Sequence, residues 1–125
     1  MARARDIVAA LNTSEAAHFT LIATQAKPQP TGRVIYVRNK GQVLFFASNF
    51  APVPAGKAYE LWLIPAQGAP IAAGTFKPDA RGAGAIVLPP VPSGVAAKAF
   101  AITVEPEAGS SAPTSTPILV GSSTP

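Results

Sequence analysis

The chain has 125 residues, of which 48% are hydrophobic and 13% are charged, with ten Lys and Arg against six Asp and Glu. This length fits a single domain with its own core, and the absence of cysteine excludes disulfides, a thiol nucleophile and a cysteine-ligated metal. The net charge of +4 is scattered along the chain, which argues against the clustered basic surface of a nucleic-acid binder.

The N-terminal segment, residues 1–17, is predicted to be a linker that contains a short helix. Ile7, Val8 and Leu11 recur at helical spacing within residues 4–17, which predicts one or two helical turns. Polar residues interrupt the apolar part, so the segment does not read as a signal peptide. No apolar run approaches the length of a transmembrane helix.

Beyond this segment, the pattern changes to short strands separated by Pro and Gly. The chain has 14 Pro and 10 Gly, which argues against a helical body. The stretches between them are apolar or alternating, as in strands. The predicted strands are 18–26, 32–38, 42–50, 58–65, 70–76, 83–88, 98–106 and 118–121. We therefore expect an all-β antiparallel two-layer β-sandwich of the immunoglobulin-like or Greek-key type, with about eight short strands, over residues 18–125.

The stretch AYELWLIP, residues 58–65, holds the one tryptophan and is mostly apolar on both faces. Successive side chains of a strand point to opposite faces, so Tyr59 and Leu61 share one face while Glu60 and Trp62 share the other. One face lines the core. We expect the other to be covered by the N-terminal segment or a long loop, or to be partly exposed. Trp62 is interpreted as a core residue, whereas an exposed Trp62 would indicate a binding surface.

No constellation of residues in the sequence indicates catalysis, a metal or a cofactor. His18 is the single histidine, and it lies at a predicted strand start, outside any zinc-binding pattern. Glu60 and Glu105 are the two acids in predicted strands, and no serine lies in a GxSxG elbow. A small hydrolase, with Glu60, Glu105 or His18 converging in one cleft, is therefore the least favoured interpretation.

Two sequence blocks carry a resemblance to a known family. The first, GKAYELWLIPAQGAPIAAGTF (56–76), contains a G-x-x-Y-x-L-W-L segment, and the second, AFAITVEPEAGSSAPTSTPILVG (99–121), contains a T-V-E-P block before a Pro-Thr loop. In this order the blocks resemble the C-terminal domain of the anti-sigma-K factor family, over roughly residues 18–121. The matching positions are Gly56, Tyr59, Leu61, Trp62, Leu63, Gly74, Phe76, Thr103, Val104, Glu105, Pro106, Gly109, Ser110, Pro113 and Thr114.

The resemblance implies structural roles for these residues and brings no catalytic residue. Tyr59, Leu61 and Trp62 are expected to form core, and Gly74 is expected to permit a bulge or a close approach of strands. Glu105 is hypothesised to hold the following Ser- and Pro-rich loop by accepting backbone N–H bonds.

The resemblance also implies a topology. Members resemble single-pass membrane regulators in which a cytoplasmic helical domain holds an extracytoplasmic-function sigma factor inactive, a span follows, and this β domain lies outside. Regulated proteolysis releases the sigma factor. We therefore expect a non-catalytic, extracytoplasmic sensory domain at residues 18–125, with residues 1–17 as its juxtamembrane linker.

The expected partners follow from that topology. A sigma factor and the membrane are partners through a cytoplasmic domain and a span that this chain does not include, and an envelope protease acts on the full-length protein. Edge strands and the proline-rich loops 51–56 and 89–94 are the expected contact surfaces, and homo-oligomerisation stays open. The alternative is a free-standing cell-envelope binding or adhesion module.

Overall fold

The computed structural model describes residues 16–23 and 30–122, and these form eight strands and one 3-10 turn. The strands are β1 (Ala16–Ala23), β2 (Thr31–Val37), β3 (Gln42–Ser48), β4 (Lys57–Pro65), β5 (Ile71–Phe76), β6 (Gly84–Val87), β7 (Ala97–Pro106) and β8 (Leu119–Ser122). The predicted all-β fold is confirmed. The 3-10 turn, Arg38–Lys40, joins β2 to β3, and Gly41 closes it with a φ of 65°, as glycine readily does.

The helix predicted within residues 4–17 falls almost entirely outside the described residues. Its last two residues are strand: Ala16 and Ala17 begin β1, opposite Val37 and Tyr36 of β2. The prediction placed these alanines in the linker because Ile7, Val8 and Leu11 recur at helical spacing. That local pattern does not reveal the pairing of Ala16 and Ala17 with a neighbouring strand, so β1 starts earlier than expected.

The eight strands form one antiparallel sheet in the order β5-β4-β7-β8-β1-β2-β3-β6. Its two outer strands, β5 and β6, follow each other in sequence. Leu88, just after β6, lies against Gly74 of β5, because a Cβ added at Gly74 would come within 2.9 Å of its side chain. The sheet is thus a nearly closed barrel whose halves face each other across a common core, which is broadly consistent with the predicted sandwich.

The main core lies inside this curved sheet and is rich in aromatic rings. Phe45, Phe50, Tyr59 and Phe76 contact one another with ring centroids 4.8 to 6.2 Å apart. The strand alternation predicted from sequence holds here, since Tyr59, Leu61 and Leu63 all belong to the main core. Rigid rings that meet edge to face contribute more than their buried area alone.

A second, smaller apolar cluster lies on the opposite face of β2 and β3. It consists of Ile35, Val37 and Leu44, each at most 2% exposed, with Phe46 and Val87 packed against them. Both faces of β2 are therefore buried over residues 34–37, which agrees with the continuous apolar sequence there.

Gly121 of β8 is expected to tolerate no side chain, because a Cβ there would lie 2.0 Å from the carbonyl oxygen of Thr20 in β1. Gly121→Ala should lower the free energy of unfolding by about 2–3 kcal/mol, as measured by urea denaturation. The matched control is Gly84→Ala in β6, where the nearest atom would be the side-chain end of Ile86 at 3.4 Å. Equal midpoints for the two variants would contradict the close approach of β8 to β1.

Candidate functional site

The outer face of β4 and β7 carries polar side chains that are nevertheless buried. Trp62 and Glu60 of β4 point away from the main core, and Thr103 and Glu105 of β7 lie beside them in the sheet. Trp62, Thr103 and Glu105 are 0% exposed and Glu60 is 3% exposed. A loop formed by residues 107–118, here called the covering loop, makes hydrogen bonds to this face.

Glu105 is the main attachment point of the covering loop. Its carboxylate accepts hydrogen bonds from the Thr103 hydroxyl at 2.5 Å, the Ser110 hydroxyl at 3.0 Å and the Thr114 backbone N–H at 3.0 Å. The Thr114 hydroxyl donates a further bond. The backbone contact hypothesised from sequence is therefore present, and side-chain hydroxyls reinforce it.

These hydrogen bonds determine the ionisation of Glu105. Burial alone raises the pKa of a carboxyl group. Here the bonds from Thr103, Thr114 and Ser110 outweigh burial and lower the pKa of Glu105 to about 2. Glu105 is consequently a buried anion stabilised by hydrogen bonds from uncharged donors. This arrangement depends on each donor staying in place.

Trp62 is linked to the same network through Thr103. The indole N–H of Trp62 donates to the Thr103 hydroxyl oxygen at 2.8 Å, and that hydroxyl donates in turn to Glu105. The covering loop is also attached to the backbone of β7, since the Ser115 hydroxyl donates to the carbonyl of Val104 at 2.8 Å. Trp62 is thus buried as predicted, but it does not belong to the main core. A binding surface based on an exposed Trp62 is not present.

Glu60 accepts fewer hydrogen bonds than Glu105. Its Oε1 accepts the backbone N–H of Ser110 at 2.9 Å, and within the described residues its Oε2 has no hydrogen-bond partner. Burial and the nearby charge of Glu105 raise the pKa of Glu60, and the Ser110 N–H opposes them. The surroundings therefore raise the pKa of Glu60 and lower the pKa of Glu105.

A groove of about 490 Å³ opens above Glu60. One wall comes from Gly74 and Thr75 of β5 with Pro89, and the other comes from the covering loop at residues 108–111. Gly109 lies over the carboxylate: a Cβ added there would be 3.5 Å from Glu60 Oε2. The groove thus joins the edge of the sheet to the covering loop, with a carboxylate at its floor.

The remaining motif residues are distributed between core and turns. Phe76 lies in the main core beside Tyr59, whose hydroxyl donates to the carbonyl of Ala51 at 2.7 Å. Gly56, in the turn before β4, has a φ of 76°. Its carbonyl accepts the N–H of Glu107 at 3.0 Å.

Three further motif positions lie at a strand end, on the covering loop and at a strand irregularity. Pro106 is the last residue of β7, and Pro113 is exposed on the covering loop. Next to Gly74 the pairing of β4 with β5 shifts by one residue, which leaves Ala73 as a bulge. Gly74 therefore lies next to a bulge and in close contact with the side chain of Leu88.

The residues considered for hydrolysis are not assembled as that interpretation requires. Glu60 and Glu105 do meet on one face, but His18 lies on β1, three strands away from β4 in the sheet order. Glu105 is fully buried and its oxygens are occupied by hydrogen bonds. Across residues 16–23 and 30–122, no group of three His, Cys, Asp or Glu side chains is placed to hold a metal ion.

The groove is the feature that sequence reasoning missed. No sequence motif links Thr75 to Pro89. They meet because β5 and the segment after β6 approach each other. The available signal was weak: an acid at Glu60 within an otherwise apolar strand, and a Gly-Ser-Ser run in the covering loop.

The stability of the protein is expected to fall on acidification from pH 4.5 toward pH 2. The pKa of Glu105 lies at about 2 in the folded protein against an ordinary value of 4.5, so its charge stabilises the fold above the ordinary value and this contribution is lost as Glu105 protonates. Protonation of Glu60 has the opposite effect on stability. Its pKa is raised in the folded protein, so the folded state binds this proton more tightly than the unfolded state does. Urea midpoints measured across this range for the wild type and Glu105→Gln should converge at low pH. A constant difference between them would contradict the assignment.

Comparisons with known proteins show which sequences this chain is similar to. Residues 1–118 match the family described as "Anti-sigma-K factor rskA, C-terminal". The chain is also similar to the "Uncharacterized protein in phr 5'region" of Streptomyces griseus, with 36% identity over 89 residues. That match covers 71% of this chain and 36% of the relative, so the chain spans little more than a third of that protein. No solved structure shows a significant match. None of the described residues belongs to a helix long and apolar enough to cross a membrane.

Proposed function

Because the chain belongs to the family of anti-sigma-K factor C-terminal domains, we propose that it is the extracytoplasmic regulatory domain of a membrane-bound anti-sigma factor. The family match over residues 1–118 carries this proposal. In the full-length protein a cytoplasmic part would hold a sigma factor inactive. The present domain, without catalysis of its own, would control release of that sigma factor through regulated proteolysis.

The position of β1 supports a physical mechanism for this control. β1 is paired with β2 along its length and with β8 at its C-terminal end. The linker predicted at residues 1–17 therefore enters the domain through a strand inside the sheet. A protease must take an extended, unpaired segment into its cleft, so the folded domain withholds β1 from cleavage. A ligand or stress that shifts the domain's stability or docking would change access to the linker.

The proposed contact surfaces are the sheet edges and two proline-rich loops. β5 and β6 are the outer strands, and loops 51–56 and 89–94 are largely exposed, with Val91 buried. Such loops on a rigid scaffold commonly carry recognition. An envelope protease or a second copy of the domain would meet the protein at these places.

The first test is the DNA sequence upstream of the codon for Ala2 in the native gene. A helical domain followed by an apolar run of about 20 residues would support the anti-sigma topology. A cleavable signal peptide directly before Ala2 would overturn it and favour the free-standing envelope module.

A functional test uses the full-length protein with a transcription reporter for its sigma factor. Glu105→Ala, which releases the covering loop, should raise reporter activity and increase a shortened fragment of the anti-sigma factor on immunoblots. The matched control is Glu107→Ala, which removes an exposed carboxylate paired with Lys77 and should change neither. If Glu105→Ala destabilises the domain yet leaves reporter and fragment unchanged, the domain does not control proteolysis.

A further inference from the structure

The groove above Glu60 has the features of a binding site. Its floor is a carboxylate that is 3% exposed, fixed on the central part of β4 and held on one side by the Ser110 N–H. Its walls combine the hydroxyl-bearing residues Thr75, Ser110 and Ser111 with the apolar surface of Pro89 and Ala108. The groove therefore offers one negative charge, a few acceptors and a short apolar wall.

Within residues 16–23 and 30–122, the Glu60 carboxylate at this floor has no cationic partner. Among the described residues no Lys or Arg forms an ion pair with Glu60, since the ion pair close to the groove joins Lys77 to Glu107. Glu105, the ionisable group that acts on Glu60 from β7, is itself an anion with its own neutral donors. A buried carboxylate with a single N–H donor is costly to keep charged. A cation entering the groove would remove that cost.

The free oxygen determines which cation fits. Oε1 of Glu60 already accepts the Ser110 N–H, so Oε2 is the oxygen that a ligand can bind without competition. A guanidinium group gains most from binding both oxygens of a carboxylate. An ammonium group needs one oxygen and can direct its other donors to neighbouring hydroxyls, such as those of Thr75 and Ser111. Pro89 and Ala108 would contact the methylenes behind it.

We infer that this groove binds a primary ammonium group carried on a short alkyl chain. The ligand places its nitrogen on Oε2 of Glu60 and its methylenes along Pro89 and Ala108. The inference concerns binding alone, and it holds whether or not the domain regulates a sigma factor. A free alkylamine and a lysine side chain in a peptide share this chemistry.

The test is a titration of the purified chain followed by amide chemical shifts in NMR. n-Butylamine at neutral pH should shift the Ser110 amide, whose N–H donates to Glu60, with a Kd on the order of 1 mM or weaker for so small a ligand. 1-Butanol, which has the same chain and no charge, should not. A parallel titration with N-acetyl-lysine methylamide distinguishes the sources: binding of either amine supports the site, and a lysine derivative that binds more tightly identifies a peptide ligand.

Two variants and a pH series make the result decisive. Glu60→Gln should weaken n-butylamine binding about tenfold or more, while Glu107→Gln, at an exposed carboxylate near the groove, should leave it unchanged. In the wild type, binding should weaken as the pH falls and Glu60 is protonated, which tests the site even if Glu60→Gln folds poorly. Equal shifts from the amine and the alcohol, retained binding in Glu60→Gln, or binding independent of pH would each overturn the inference.

Discussion

Replacing Glu105 by Ala is expected to lower the free energy of unfolding by about 3–5 kcal/mol. The carboxylate is fully buried and accepts hydrogen bonds from Thr103, Ser110 and Thr114. Hydrogen bonds to a charged group contribute more than neutral ones, and removing the acceptor leaves a buried hydroxyl without its partner. The covering loop loses its attachment at the same time.

The loss should be visible in two independent measurements. Urea denaturation gives the change in stability, and hydrogen exchange of the Thr114 amide reports the loop directly, because that N–H donates to Glu105. Glu107→Ala is the control, since Glu107 is exposed and pairs with Lys77 at the surface, and it should leave both measurements unchanged. Unchanged protection of the Thr114 amide in Glu105→Ala would show that Glu105 does not hold the loop.

Replacing Trp62 by Ala is expected to destabilise the protein to a similar degree, by about 3–5 kcal/mol. Trp62 is 0% exposed, so its removal leaves a cavity. It also removes the indole N–H that donates to Thr103. Urea denaturation followed by circular dichroism measures the effect, because the variant lacks the chain's one tryptophan and its fluorescence.

Trp62→Phe separates the two contributions to this loss. It keeps a large ring and removes the N–H, so it should cost about 1–2 kcal/mol. The double variant with Glu105→Ala should cost less than the sum of the single changes, since both act on Thr103. In the Glu105→Ala variant, Trp62 fluorescence should shift to longer wavelength as water reaches the indole. Strict additivity, or emission identical to the wild type, would contradict a shared network.

The strands could be predicted from sequence because their signals are local. Pro and Gly mark the ends of strands, and alternation assigns faces: Val34 and Tyr36 belong to the main core, whereas Ile35 and Val37 belong to the outer cluster. The predicted bounds of β4 agree with the structure within one residue. In each case the information lies within a few neighbouring residues.

The site could be predicted only in part, because it depends on segments far apart in sequence. The resemblance led to the hypothesis that Glu105 accepts backbone N–H bonds from the loop that follows it, and the Thr114 N–H does donate to Glu105. The groove was not foreseen, because Thr75 and Pro89 meet through the approach of β5 to the segment after β6. The burial of both acids also depends on the covering loop folding back, which alternation within a strand does not encode.

The strand order also constrains how the chain reaches this structure. β1 is the first strand of the described chain and β8 is the last, yet Ile22 pairs with Val120. Contacts that join the two ends of a chain make folding slow, because a large loop must close before they form. During synthesis β7 and β1 would stay without their shared neighbour until residues 119–122 emerge, with unpaired edges open to other chains. Folding of this domain is therefore expected to be completed after synthesis of its last strand, and a truncation before Leu119 should yield an aggregating product rather than a smaller folded one.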